Sequence, residues 1–220
     1  MLTLSQTLAI KGKILDNIFS LHACPYTSQS ITTQAFTLQI TETSSWLNIC
    51  ARLIQDSPRY GSGRAAEEAL WRMMILDSTS PRAFASGFAV PGEDYRRSFQ
   101  AFRAYMQVDS EPDTAAAAEI WRSRRQEYLA HSQLFQNSMG NYMSGRQTCA
   151  TRSGYVGCGP LHARLGDRIC IFQGYPIPFA IRPTDQDGCF ELVGEVYLHG
   201  LMNGEAIRLT DAPLEMIKLI

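Results

Sequence analysis

The chain has 220 residues, of which 45% are hydrophobic and 19% charged, with a formal net charge of −1. That composition excludes a disordered or collagen-like chain and leaves a globular protein, one domain or two small ones, with enough apolar material for a sizeable core. The balanced charge supplies no global field toward nucleic acid or an anionic membrane, and no segment reaches the ~20 apolar residues of a membrane-spanning helix.

The N-terminal stretch MLTLSQTLAIKGKILDNIF is broken by Lys11, Lys13 and Asp16 and does not read as a secretory leader. Its Leu8, Ile10, Ile14, Leu15 and Ile18, arranged around Gly12, predict a strand with a bend or bulge. That strand has no neighbour nearby in sequence, so it is expected to pair with strands at the far end of the chain. HACPYTSQSITTQ then reads as polar loop.

Four helices follow. The first is expected to be capped by Ser44 or Ser45, to carry Trp46, Cys50, Leu53 and Ile54 on its stripe, and to stop near Pro58. YGSGR reads as a glycine turn. RAAEEALWRMMILD carries Ala66, Leu70, Met73 and Leu76 on one face, and GEDYRRSFQAFRAYM carries Tyr95, Phe99, Phe102 and Met106. The last helix starts after Pro112, shows Trp121, Tyr128, Phe135 and Met139 on one side, and is expected to end at Gly140.

From Arg146 the hydrophobic period shortens to that of strands. Ile169 and Ile171 alternate with Cys170 and Phe172, and IPFAIR resumes after Gln173-Gly174. Asp187-Gly188 and Asn203-Gly204 are hairpin signals, the second leading into EAIRL as a strand. In the run between them, Gly194 shares the core-side parity of Leu192, Val196 and Leu198. The order strand, helices, strands predicts an α+β fold: a small antiparallel SH3-like β-barrel built discontinuously from residues 1–20 and 146–212. The helical insertion over 42–140 is expected to pack on it in effectively one compact unit.

The stretch Gly154–Arg182 poses the chemical question. Cys158 lies between Gly157 and Gly159, with His162 nearby in sequence and His199 further on. A thiol hydrolase needs such a cysteine with an adjacent base and an oriented third group. No cysteine-protease signature surrounds it, and Gly166-Asp167 reads as a turn whose carboxylate accepts backbone hydrogen bonds. GYVGCG fits no phosphate loop, and His199 and Glu205 are too far apart for a helical zinc motif. The six cysteines, at 24, 50, 149, 158, 170 and 189, form no C-x-x-C pair and are expected to be reduced, mostly buried thiols. The arginine clusters YRRSFQAFR and WRSRRQEY interleave with aromatics, as at nucleic-acid surfaces, but those aromatics fall on core stripes and Glu93, Asp94, Glu119 and Glu127 lie nearby.

Taken in order, the motifs resemble the C-terminal barrel region of fungal heterokaryon-incompatibility (HET-domain) proteins. Arg146, Thr151, Gly154, Tyr155, Gly157, Gly159 and Pro160 match the family's Gly-aromatic-x-Gly-x-Gly-Pro segment and the residues before it. Gly166 and Asp167 match its Gly-Asp. Pro178, Phe179 and Arg182 match its next strand, and Gly194, Tyr197, Gly200, Met202, Gly204 and Glu205 its ending. Upstream, Gly12, Asp16 and Ile18 match one motif, and Tyr60, Gly63, Ala69, Trp71, Arg72 and Asp77 another. Gln147, Thr148 and Cys149 replace the family's aromatic pair.

The family's N-terminal HET domain has no counterpart here, so the chain is expected to be the C-terminal part alone. The resemblance implies that these motif residues serve structure or interaction. It further implies a cytoplasmic, non-catalytic recognition or regulatory module of non-self recognition and programmed cell death. A protein partner is expected, such as another incompatibility-locus product, with no nucleic acid, membrane, cofactor or metal. The alternatives are a hydrolase using Cys158 and a nucleic-acid-binding module using the arginine-rich helices.

Overall fold

The structure, a computed structural model, describes residues 7–25, 33–79, 90–107, 112–208 and 213–220. Residues 26–32 of the expected polar loop, Leu209 of EAIRL and the ends of the expected barrel ranges, 1–6 and 209–212, lie outside them. Met1–Ala23, Leu53–Gly61 and Gly145–Ile220 form one compact unit; Cys24–Arg52 and Ser62–Ser144 form a second.

The first unit is a closed barrel with a second layer. Its strands are β1 (Leu8–Ala23), β2 (Arg146–Thr151), β3 (Val156–Pro160), β4 (Arg168–Phe172), β5 (Phe179–Pro183), β6 (Cys189–Glu195), β7 (Tyr197–Leu198) and β8 (Glu215–Leu219). They run in the order β4-β5-β6-β8-β1-β2-β3-β7, and a further β4–β1 ladder closes the first five into a barrel. β1 belongs to both layers. Its first part pairs with β8 and β4, its last part with β2, and register shifts at Ile14/Asp16 and Ile18/Ser20 mark where it bends. The N-terminal strand thus finds its partners among the C-terminal strands, as its isolation in sequence requires.

One ladder departs from the antiparallel expectation. β8 runs parallel to β6, with Cys189 opposite Lys218 and Phe190 opposite Leu219. Residues 196–214 connect the two strands, long enough for the crossover a parallel pair demands.

The barrel has two cores. Cys170, Phe172, Ile181, Phe190, Ile217 and Leu219, with Ile10, Ile14 and Phe179 against them, draw on all five closed strands and fill the interior. Ile169, Ile171, Ala180 and Val193 point the other way and pack with Ile18, Cys149, Leu198 and Leu201. β4 is therefore buried on both faces, which is why RICIF carries no polar residue after its first.

In the second unit, α2 (Arg64–Met74), α3 (Glu93–Met106) and α4 (Ala115–Met143) follow most of α1 (Thr33–Gln55), the helix whose last residues pass into the first unit. Phe135 of α4 packs on Phe99 and Phe102 of α3, ring centroids 5.0 and 5.4 Å away. The hydroxyl of Ser98 fastens the pair, donating to His131 O at 2.8 Å and accepting Phe135 N–H at 3.0 Å.

Four local expectations change. α1 starts at Thr33 rather than at Ser44, because no Gly or Pro interrupts Thr33–Ser45, and Thr43, 1% exposed, extends its buried stripe. α4 runs through Gly140 to Met143; Tyr142 and Met143 are buried, Tyr142 OH donates to Ser78 Oγ at 2.9 Å, and the left-handed turn falls on Gly145 (φ 72°). Asn203-Gly204 (φ 56° and 76°) leads not into a strand but into α5 (Glu205–Arg208), where Ala206 is buried in the barrel's second core. Finally, Leu192 is 47% exposed and Val193 is buried, since a register shift opposite Ala180/Ile181 swaps the faces of β6.

Candidate functional site

The matched motif residues of the barrel cluster around its turns, and the turns are held by side chains. Ser153 N–H donates to Asp16 Oδ2 at 3.0 Å, and Tyr155 N–H donates to Thr151 Oγ1 at 3.1 Å. These bonds close the β2–β3 connection, where Gly154 takes φ 86°. The first motif of the chain is thereby tied to the Gly-aromatic motif more than a hundred residues later.

A second clamp sits at Gly166-Asp167. Arg182 grips Asp167 through both carboxylate oxygens, Nε–Oδ1 and Nη2–Oδ2 each at 2.9 Å, and also donates to His162 O at 3.0 Å. Asp167, 2% exposed, accepts Arg164 N–H at 2.8 Å as well. A buried carboxylate survives because a fork-shaped cation and a backbone donor satisfy it together. Gly166 N–H and Asp167 O hook the turn onto Ile18 of β1, both bonds at 2.9 Å.

The remaining motif residues are used for close approach or bends. A Cβ on Gly157 would lie 1.8 Å from Tyr197 O, so β3 meets β7 only through glycine there. Gly194 (φ 147°) faces Pro160, whose Cγ would be 2.9 Å from its Cβ. Gly159 has ordinary room. Pro178 O accepts Val196 N–H at 3.0 Å, Gly200 turns at φ 85°, and Met202 O accepts Glu205 N–H at 3.1 Å as α5 begins. Gly12 faces the barrel interior, and its Cβ would press on Ile171 O at 2.7 Å. In the helical unit, Trp71 is buried and Arg72 binds Asp77 and, at 2.8 Å, Glu68, holding a turn in which Leu76 and Asp77 take φ 50° and 51°.

Two features were not legible as sites, although Tyr60 of the first was among the matched motif residues. The segment Ser57–Tyr60 is a strap on the barrel. Ser57 Oγ donates to Gly154 O at 2.6 Å, Arg59 stacks its guanidinium 3.6 Å over the Tyr155 ring, and Tyr60 OH accepts Val156 N–H at 2.8 Å while donating to His199 O at 3.1 Å. Burial pushes the Tyr60 phenol up to about 12. Ser-Pro followed by an aromatic, just past a helix end, was the available signal. The other is Gln147, one of the departures from the family pattern. Its amide nitrogen lies 3.2, 2.9 and 2.9 Å from the carbonyls of Pro160, Leu161 and Ala163, clamping the turn after β3.

Cys158 is 0% exposed within β3. His162 Nε2 donates to Val193 O at 2.9 Å, and His199 Nδ1 meets Tyr197 OH at 3.0 Å. All six cysteines are free thiols; five are buried and Cys24 is half-buried. Burial pushes the Cys149 and Cys170 thiols up to about 12. No group of three or more metal-ligating side chains occurs among the described residues, and no helix among them is long and apolar enough to cross a membrane.

The arginine clusters are partly engaged within the helical unit. Arg96 pairs with Glu93 at 2.9 Å and Glu67 at 3.2 Å, Arg103 lies over Phe99, and Arg125 lies over Tyr105 and Trp121.

Residues 6–213 match a family described as the Het-6 beta-barrel domain. The chain is also similar to heterokaryon incompatibility protein 6, OR allele, of Neurospora crassa, 28% identical over 164 residues. That stretch is 66% of this chain and 23% of the relative, so the chain spans about a quarter of the curated protein it matches. No solved structure matches.

Proposed function

Because the chain belongs to the Het-6 β-barrel domain family, we propose that it is a non-catalytic recognition or regulatory module of fungal heterokaryon incompatibility, working in the cytoplasm through a protein partner. The observation that carries this reading is how the motif residues are used. Among the charged motif residues, Asp16, Asp167 and Arg182 in the barrel and Arg72 and Asp77 in the helical unit are consumed in holding turns, while Gly157 and Gly194 serve close backbone approach. The thiol between the glycines is enclosed, with 0% exposure. A nucleophile needs a path to its substrate and a base beside it. In this reading the closed five-stranded barrel is an SH3-like scaffold that presents its loops. In the same reading this chain does not itself trigger cell death.

The test is expression of residues 1–220 in a fungal strain, alone and together with a full-length incompatibility protein of the family. Alone, the chain leaves viability and vital-dye exclusion unchanged; in the mixed strain it alters the incompatibility reaction by competition. Death caused by the chain alone, and abolished by Cys158→Ala in a folded variant, overturns the proposal. A salt-sensitive shift of nucleic acid by the chain does so in favour of the arginine-rich helices.

A further inference from the structure

Between α3 and α4 lies a groove of about 670 Å³, lined among others by Asp94, Arg97, Ala101, Ala104, Tyr128 and His131. Its size falls within the ~300–1,000 Å³ of small-molecule sites. Its layout follows from the antiparallel pairing of the two helices. Ser98 bonds to His131 at one end and Arg125 to Tyr105 at the other. Arg97 and His131 therefore share one end, Tyr128 stands toward the other, and Ala101 and Ala104 leave a low apolar floor in between.

The charges in and around the groove are unevenly matched. Arg96 is taken up by Glu93 and Glu67, and Gln100 also reaches Glu67. Asp94 sits in the first turn of α3, where the helix dipole stabilises a carboxylate. Arg97 makes no ion pair among the described residues and is exposed beside the groove. What the groove offers is a guanidinium in no ion pair among the described residues, one helical turn from the Asp94 carboxylate, with His131, a low apolar floor and the Tyr128 ring also lining it.

We propose that the α3–α4 groove binds a small amphiphilic carboxylate, its anionic group on Arg97 and its apolar or aromatic body laid over Ala101 and Ala104 against Tyr128. The guanidinium forms paired charge-assisted bonds with a carboxylate, and the ring adds stacking area. This does not depend on the role proposed above, since a recognition module with or without a death-linked partner retains the same helices.

The test uses the full chain, isotope-labelled, titrated with indole-3-acetate and with its neutral amide, indole-3-acetamide, as probes. Backbone amide shifts report where each one binds. The acetate is expected to shift resonances of α3 and α4 around residues 97–104 and 128–131, and to bind about tenfold tighter than the amide. Arg97→Gln, a surface change, should weaken the acetate about tenfold and leave the amide unchanged. Ala101→Leu should weaken both by filling the floor. Equal affinity of the two probes, shifts confined to the barrel, an unchanged acetate affinity in Arg97→Gln, or no saturable binding of the acetate each overturns the proposal.

Discussion

Asp167 and Arg182 are joined at both carboxylate oxygens, each contact 2.9 Å, with the aspartate almost wholly removed from solvent. The two residues stand fifteen positions apart, and the chain between them, including β4, is thereby closed into a loop fastened at its base. Arg182→Met would leave a buried carboxylate with one backbone donor in place of three bonds. The expected cost is about 3 kcal/mol, since breaking a buried pair from one side leaves an uncompensated charge. Urea unfolding monitored by circular dichroism measures it. A loss of under 1 kcal/mol would mean the clamp is dispensable.

Gly157 and Gly159 look alike in sequence but stand in different surroundings. A methyl group at Gly157 would collide with Tyr197 O at 1.8 Å, backbone against backbone, while at Gly159 the nearest atom is 3.8 Å away. Gly157→Ala should cost about 3 kcal/mol and loosen β7 from β3. Gly159→Ala should stay within about 1 kcal/mol, because an ordinary contact distance needs no movement. Matching melting temperatures for the two variants would contradict the assigned strand pairing.

The phenol of Tyr60 and the thiols of Cys149 and Cys170 are all raised to about 12 by burial, from ordinary values of 10.0 and 9.0. Each is held neutral by the fold. Their contribution is fully present below the ordinary values and is lost as pH climbs toward the raised ones. Folding stability should therefore fall between about pH 9 and pH 12. Tyr60→Phe should shallow that fall and also lower stability at neutral pH by about 1–3 kcal/mol, because Val156 N–H loses its acceptor. Denaturant titrations at pH 8 and pH 11 on both proteins decide it; an identical pH slope in the variant refutes the role given to Tyr60.

Thiol chemistry offers a direct reading of burial. In the native protein Cys24, the one half-buried cysteine, should label first, while the other five wait for opening. In denaturant without reductant all six should titrate. A native Cys158 that labels as fast as Cys24 would show that β3 is open to solvent.

From the sequence alone came the order strand, helices, strands, the residues that fill most of the helix stripes, and the turns at Gly166-Asp167 and Asp187-Gly188. These are local matters. A period of two or of 3.6 and the backbone freedom of glycine act over a few residues and leave their mark in them. The pairing of the first strand with the last ones was also legible, because an unpartnered strand must find partners somewhere. Tertiary structure alone decided the parallel β6–β8 contact, the shift that exposes Leu192 and buries Val193, and the continuation of α4 through Gly140. It alone turned Gly157 into a point of backbone contact, and Asp16 and Tyr60 into clamps on a hairpin far along the chain. Each of these rests on atoms brought within bonding distance from remote parts of the sequence. Local propensity carries no record of such a neighbour, and packing overrides it where the two disagree.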